Sequence, residues 1–301
     1  MQAQSVYRAF FGFTDDPFSL SPDPAFFYRS HQHEEALSNL IYGVQARKGF
    51  IVLTGEVGTG KTTMLECLRD WLKEQRVEFA FIFNSRISPA EFLEMIAYDF
   101  DLRCDGKSKP AVLNALQEML FAQNEHGSTA VLILDECHNL DWEVLEEVRL
   151  LGNLENRRGK LLQIVLAGQP EFDRKLDAPN LRQLKQRIVL RTQLRPFEVS
   201  DTRRYIESRL TTAGMPNQTV LSPELIAEIH RRTNGIPRII NAVCDNMLLS
   251  CFAEATRTAT LEMLDEVCHD MRLDWGRERR GSSSRYADAA TEGSPFYNSA
   301  G

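Results

Sequence analysis

The stretch GEVGTGKT, residues 55–62, limits what this chain can fold into more than any other part of it. It fits the pattern G-x-x-x-x-G-K-[S/T] and stands in the required setting, with the apolar run FIVLT (50–54) before it and the amphipathic run TTMLECLRDWL after it. Glycines let such a loop curl so that successive backbone N–H groups point inward, and the helix that follows adds its positive end. That geometry suits a phosphate chain. The expected nucleotide-binding set is Gly55, Glu56, Val57, Gly58, Thr59, Gly60, Lys61, Thr62 and Thr63. Lys61 is expected to reach the β- and γ-phosphates, and the Thr62 hydroxyl to ligate Mg²⁺.

A second stretch, LILDECHNL (132–140), supplies what the loop lacks. Asp135 closes an apolar run and can hold Mg²⁺, and Glu136 can orient and polarise an attacking water. The same letters also spell the D-E-x-H box of a nucleic-acid helicase. A helicase of that kind needs two strand-rich cores, whereas this sequence has one followed by helical patterns, which argues against it. Cys137 and His138 are then read as packing, with His138 as a possible transmitter of nucleotide state.

Runs apolar on both faces, FIVLT, FAFIFN (79–84), AVLILD (130–135), LLQIVLAG (161–168) and RIVLRTQL (187–194), predict a five-stranded parallel sheet covered on both sides. Helical spacing is expected over 31–45, 61–75, 88–101, 110–126 and 141–156. After Pro196 the strands stop, and 200–213, 222–233, 236–255 and 260–272 read as helices, with Ser222-Pro223 a good helix start. The expected fold is α/β: an aromatic and proline-rich lead-in with the first helix (1–45), a P-loop core (46–197), a helical lid (198–275) and a disordered polar tail (276–301).

Three further sites bear on chemistry. Gln169 follows the strand LLQIVLAG, where a polar side chain can sense a γ-phosphate. Arg238, in NGIPRIIN (234–241), starts a helix from which an arginine can reach back to phosphates. Arg182, Arg187 and Arg191 flank the last strand. An arginine there can enter a neighbouring subunit's site as a finger, and Arg187 is the choice because it ends the preceding helix.

In this order, the aromatic-proline lead-in, GEVGTGKT, LILDECHNL, LAGQPEF, LKQRI and GIPRIIN resemble the AAA+ ATPases of the ExeA/GspA (general secretion pathway A) type over about residues 7–273. The lead-in FFGFTDDPFSLSPDPAFFYRSHQHEEALSNLIYGV carries no generic P-loop motif and is the most distinctive part. The resemblance implies ATP with Mg²⁺ at a subunit interface. It makes Lys61 and Thr62 the Walker A residues, Asp135 and Glu136 the Walker B residues, Gln169 sensor 1, Arg238 sensor 2 and Arg187 the finger. It also sets Phe26, Tyr28 and His31 near the adenine. Secretion-type members continue into a membrane span and a peptidoglycan-binding domain, whereas this sequence ends in a polar tail, so the expectation is a likeness to shorter relatives.

Two functions follow. One is a self-assembling ATPase, ring or filament, serving envelope secretion, pilus or exopolysaccharide export. The other is a DNA-binding regulator resembling transposition ATPases of the TniB, TnsC and MuB kind, for which Arg157, Arg158 and Lys160, and Arg231 and Arg232, are the basic clusters. Asp and Glu (42) outnumber Lys and Arg (35), and the net charge of −7 argues against general nucleic-acid coating. The 6 cysteines, Cys67, Cys104, Cys137, Cys244, Cys251 and Cys268, form no C-x-x-C pair and fit neither a disulfide framework nor a zinc site. With no secretory leader and no apolar run of ~20 residues, the expected location is cytoplasmic, with peripheral docking at the inner membrane left open.

Overall fold

The computed structural model describes residues 6–20, 24–83, 86–103, 108–157, 159–215 and 220–273. The chain divides into two compact units: a core unit, 21–196, and a helical unit formed by 1–20 with 197–301. In chain order, α1 (Arg8–Phe11) precedes α2 (His31–Gln45), β1 (Phe50–Gly55), α3 (Lys61–Glu74), β2 (Glu78–Ile82), α4 (Pro89–Asp99) and α5 (Lys109–Glu125). Then come β3 (Ala130–Leu134), α6 (Trp142–Leu151), β4 (Glu155–Asn156), β5 (Gly159–Lys160), β6 (Leu162–Gly168), α7 (Pro170–Leu176), α8 (Arg182–Arg187) and β7 (Ile188–Leu194). The helical unit continues with α9 (Val199–Thr212), α10 (Pro223–Thr233), α11 (Pro237–Ala253) and α12 (Leu261–Asp270).

In the core unit β2, β3, β6, β1 and β7 form one parallel sheet in that order. Because side chains alternate along a strand, each apolar run feeds two cores. Val52, Leu132, Leu134, Ile164 and Leu166 pack with Phe92 and Ile96 of α4, Leu116 of α5 and Leu145 and Val148 of α6. Their neighbours Ile51, Leu53, Val131, Ile133, Val165 and Ala167 pack on the other face with Leu40 and Val44 of α2 and Met64, Leu65 and Leu68 of α3. The result is a three-layer αβα sandwich with β1, β3 and β6 buried along their whole length.

Helix α6 ends earlier than the spacing over 141–156 predicts. Gly152 lies against Phe50, and a Cβ there would overlap the ring. The chain then turns into the short antiparallel hairpin β4–β5, with Glu155 opposite Lys160. The lead-in also divides: residues 6–20 group with the helical unit rather than with α2. Tyr7, Phe11, Phe13 and Phe18 are buried there, the Tyr7 hydroxyl donates to Asp245, and the Thr14 N–H donates to the Ala213 carbonyl at 2.8 Å. The Arg209 guanidinium, buried beside them, donates to the carbonyls of Pro17 and Ser19. The tail 276–301 lies outside the described residues, as do Cys104 and Arg158.

Candidate functional site

The loop 55–60 leaves β1 at the carboxyl end of the sheet and delivers Lys61 as the first residue of α3. Gly58 and Gly60 have φ of +83° and +98°, a region that costs an L-residue roughly 1 kcal/mol, so the curled path depends on them. Gly55 is required for a different reason. A Cβ there would stand 2.7 Å from the Leu194 carbonyl and 2.8 Å from the Thr59 hydroxyl. That hydroxyl pins the curl by donating to the Glu56 carbonyl at 2.8 Å. Val57 is exposed at the rim of the loop.

Lys61 is buried, and its ammonium donates back to the carbonyls of Gly55 (2.8 Å) and Glu56 (3.1 Å). Burial lowers its pKa, while the carboxylates of Glu136, Asp135 and Glu56 pull it back up. Asp135, one residue past β3, is buried with its pKa raised by that burial, although the Glu136 N–H and the Thr62 hydroxyl, donating at 2.8 and 3.2 Å, oppose the rise. Thr62, next to Thr63 in the first turn of α3, thus shares Asp135 as its partner. Glu136 has φ +54° and ψ +35°, a left-handed conformation unusual for this residue type. Its Oε2 is buried without a hydrogen bond among the described residues. An ammonium, a hydroxyl and an acid converge at the end of β1 and β3, and the oxygen donors of Thr62 and Asp135 suit a small hard cation. Buried charges and a carboxylate oxygen without a hydrogen bond among the described residues are the features of a functional site rather than of folding alone.

Strand order then brings in Gln169, because β6 lies between β3 and β1. Gln169 is the residue before α7, with Pro170 at the first helical position, and its side chain makes no cap hydrogen bond. Arg187 is not brought to this cluster. It sits at the start of β7, at the opposite end of the parallel sheet, where Nη1 donates to Asn153 Oδ1 at 2.5 Å and to the Arg149 carbonyl at 3.3 Å. Arg191 pairs with Asp173 at 2.7 Å, and Arg182 is exposed at the start of α8. Arg238 is exposed in the first turn of α11, in the helical unit. Phe26 is buried in a short 3₁₀ turn, Tyr28 is half-buried, and His31 is exposed as the first residue of α2.

Two residues at the site, His33 and Lys175, escape a reading of the sequence. Buried His33 accepts from the Ser30 hydroxyl at Nδ1 (2.8 Å) and donates from Nε2 to the Thr59 carbonyl (3.4 Å), tying α2 to the loop. The carbonyl can only accept, which fixes that tautomer. The only signal was a serine at a helix start, three residues before a histidine. Lys175 packs on the turn after Glu136 beside His138, which the sequence offered as packing or as a transmitter of nucleotide state.

A parallel αβα core in this strand order, with a phosphate-type loop after β1, acids after β3 and a separate helical unit, defines the AAA+ class of P-loop proteins. A family profile described as "AAA domain" matches residues 44–176. Two solved structures share the fold. Cdc6p from Pyrobaculum aerophilum gives a TM-score of 0.66 at 18% identity, covering 86% of this chain and 71% of that one. The ORC2 protein of Aeropyrum pernix, in ADPNP–ADP complexes, gives 0.63 at 14% identity, covering 86% and 72%. By sequence the chain is 42% identical over 252 residues to general secretion pathway protein A of Aeromonas hydrophila, covering 83% of this chain and 46% of that protein. The chain therefore belongs to the AAA+ ATPases of the general secretion pathway A type, and it spans less than half the length of that relative. Among the described residues no helix is long and apolar enough to cross a membrane.

Proposed function

We propose that this chain binds ATP with Mg²⁺ and hydrolyses it, and that its nucleotide-dependent self-assembly serves an envelope secretion, pilus or exopolysaccharide export system. The observation that carries the reading is the convergence of Lys61, Thr62, Asp135 and Glu136. The loop N–H groups and Lys61, released from its carbonyl contacts, bind the β- and γ-phosphates. Held by Thr62 and Asp135, Mg²⁺ would neutralise charge on the phosphate oxygens. Glu136 takes a proton from the attacking water as general base. Gln169 senses the γ-phosphate from the end of β6, and Arg238 takes the sensor 2 role that the family likeness implies. Arg187, or Arg182 or Arg191 in its place, acts in trans on a neighbour's site. Export components as partners rest on likeness to general secretion pathway protein A.

The test is Mg²⁺-dependent ATP turnover by the purified chain. Glu136→Gln should keep nucleotide affinity and lose turnover by ~100-fold or more, the scale of general-base catalysis. Full turnover in that variant rejects the assignment. Sizing with and without ATP tests assembly. The DNA-binding alternative gains little from the basic clusters, because Lys160 pairs with Glu155, Arg231 with Glu228, and Arg232 with Glu228 and Asp265. Salt-sensitive, ATP-dependent filaments on duplex DNA would nevertheless establish it.

A further inference from the structure

His138 lies in the 3₁₀ turn Cys137–Asn139, immediately after Glu136, and the chemistry above does not use it. Its ring Nδ1 faces two groups. The Gln169 backbone N–H points at it from 3.4 Å, and Glu136 Oε2 lies 3.3 Å away. A ring nitrogen has one in-plane position: as a lone pair it accepts from Gln169, and as N–H it donates to Glu136. The two bonds exclude each other. Glu136 Oε2 is the buried oxygen that has no hydrogen bond among the described residues, so Nδ1 is the donor it is set against.

The surroundings hold the ring in this place. Lys175 Nζ donates to the carbonyls of His138 (3.1 Å) and Leu140, fixing the turn to α7. At the end of β6, a Cβ on Gly168 would stand 3.4 Å from the His138 backbone nitrogen and 3.0 Å from Phe172 Cβ, so the bare backbone there admits the turn. The imidazole itself is only 12% exposed.

We propose that His138 is the positioning residue for Glu136, and that it couples the carboxylate to the end of β6 through the Gln169 backbone. With the proton on Nδ1, the carboxylate is held and the Gln169 N–H is released. With the proton on Nε2, the Gln169 N–H is satisfied and the carboxylate loses the contact that orients it toward the attacking water. A shift at Gln169 therefore reaches Glu136 through a single atom. This rests on the reading of Glu136 as general base, and the following experiment separates the two.

His138→Ala should lower ATP turnover about tenfold, the scale of a misoriented catalytic group, with nucleotide affinity unchanged. His138→Asn, whose side-chain amide puts a polar atom as far from Cβ as Nδ1, should recover most of the loss. In a Glu136→Gln background, removing His138 should cost nothing more. Unchanged or raised turnover in His138→Ala, joint loss of affinity and turnover, or an Asn variant as poor as the Ala one overturns the proposal. Amide exchange at Gln169 reads the coupling without turnover: His138→Ala should speed it and Glu136→Ala should slow it. No change in either variant refutes the role of His138 whether or not the chain hydrolyses ATP. A wild-type chain without turnover that shows both exchange shifts refutes only the general-base reading.

Discussion

The two ends of the parallel sheet bury polar groups in opposite ways. At the end where the strands begin, Gln163 is fully buried inside β6 and fully used: Oε1 accepts from the Gly49 N–H at 2.8 Å, and Nε2 donates to the Lys160 carbonyl at 3.0 Å and the Thr129 hydroxyl at 3.2 Å. Beside it Arg47 donates to Asn124 Oδ1 at 2.6 Å and to the Ser128 carbonyl at 2.7 Å. At the carboxyl end Lys61 and Asp135 are buried with pKa values moved toward their neutral forms, and Glu136 has an orphaned oxygen on a left-handed backbone. A satisfied network contributes to the fold. One whose charged groups are buried against their ionised forms, with one carboxylate oxygen unpaired, is held in place by the fold and gains stability when something binds.

The largest effect that can break this contrast is at Lys61. Lys61→Ala should reduce ATP affinity on the order of 100-fold, the value of a charge-assisted contact of about 3 kcal/mol to phosphate, while leaving the unfolding midpoint unchanged or raised. Fluorescent-nucleotide titration beside urea unfolding checks both. A large loss of stability would make Lys61 a folding residue and erase the difference between the ends. Gln163→Leu should do the reverse. Stranding the Gly49 N–H should cost about 2 kcal/mol in urea unfolding, with nucleotide affinity unchanged. A weakened affinity would mean that the two ends are coupled through β6.

The same contrast governs what was legible in the sequence. The Lys61 loop was readable because its requirements are local: positive φ at Gly58 and Gly60, no side chain at Gly55, and a strand and a helix on either side. The sheet was readable because AVLIL (130–134) and FIVL (50–53) are apolar at every position, a pattern that suits strands covered on both faces. Gln163 was hidden inside an apolar run, since its partner Gly49 is remote in the chain and Lys160 sits in a hairpin that the helical spacing over 141–156 concealed. His138 read as packing because its neighbours, Gln169 and Lys175, arrive from α7 and the residue before it, an element without strong periodicity. Residues 6–20 looked contiguous with α2 because aromatic side chains do not announce which core they enter.

Asp135 offers a sharper and smaller test. Burial raises its carboxyl pKa, so the folded chain holds the proton more readily than the unfolded one. The stability from that proton is complete below the ordinary value of 3.8 and is lost as pH rises through the folded value, leaving a buried charge near neutrality. Asp135→Asn should therefore be about 1 kcal/mol more stable than the parent at pH 7, with the gap closing under acid, and should lose Mg²⁺-dependent nucleotide binding. Lower stability in Asp135→Asn at pH 7 would mean that its hydrogen bonds outweigh the cost of its burial.

The helical unit supplies the opposite case and the smallest effect. Arg231 first, and then Arg232, hold the Glu228 carboxyl down to about 2 from an ordinary 4.5, against the opposing pull of partial burial. Arg232 in turn pairs with Asp265 of α12, so the network ties α10 to its neighbour. A depressed carboxyl contributes stability above its unfolded pKa, and that contribution is lost as pH falls through the folded value. The advantage of the parent over Glu228→Gln, about 1 kcal/mol after allowing for solvent screening, should thus be full above pH 4.5 and fade between 4.5 and about 2. Amide exchange along α10 across that range reads it directly. Asp135 and Glu228 are both carboxylates with neighbouring cations, and opposite pH slopes in their two variants would show that the balance of burial against ion pairing, rather than charge alone, sets the sign.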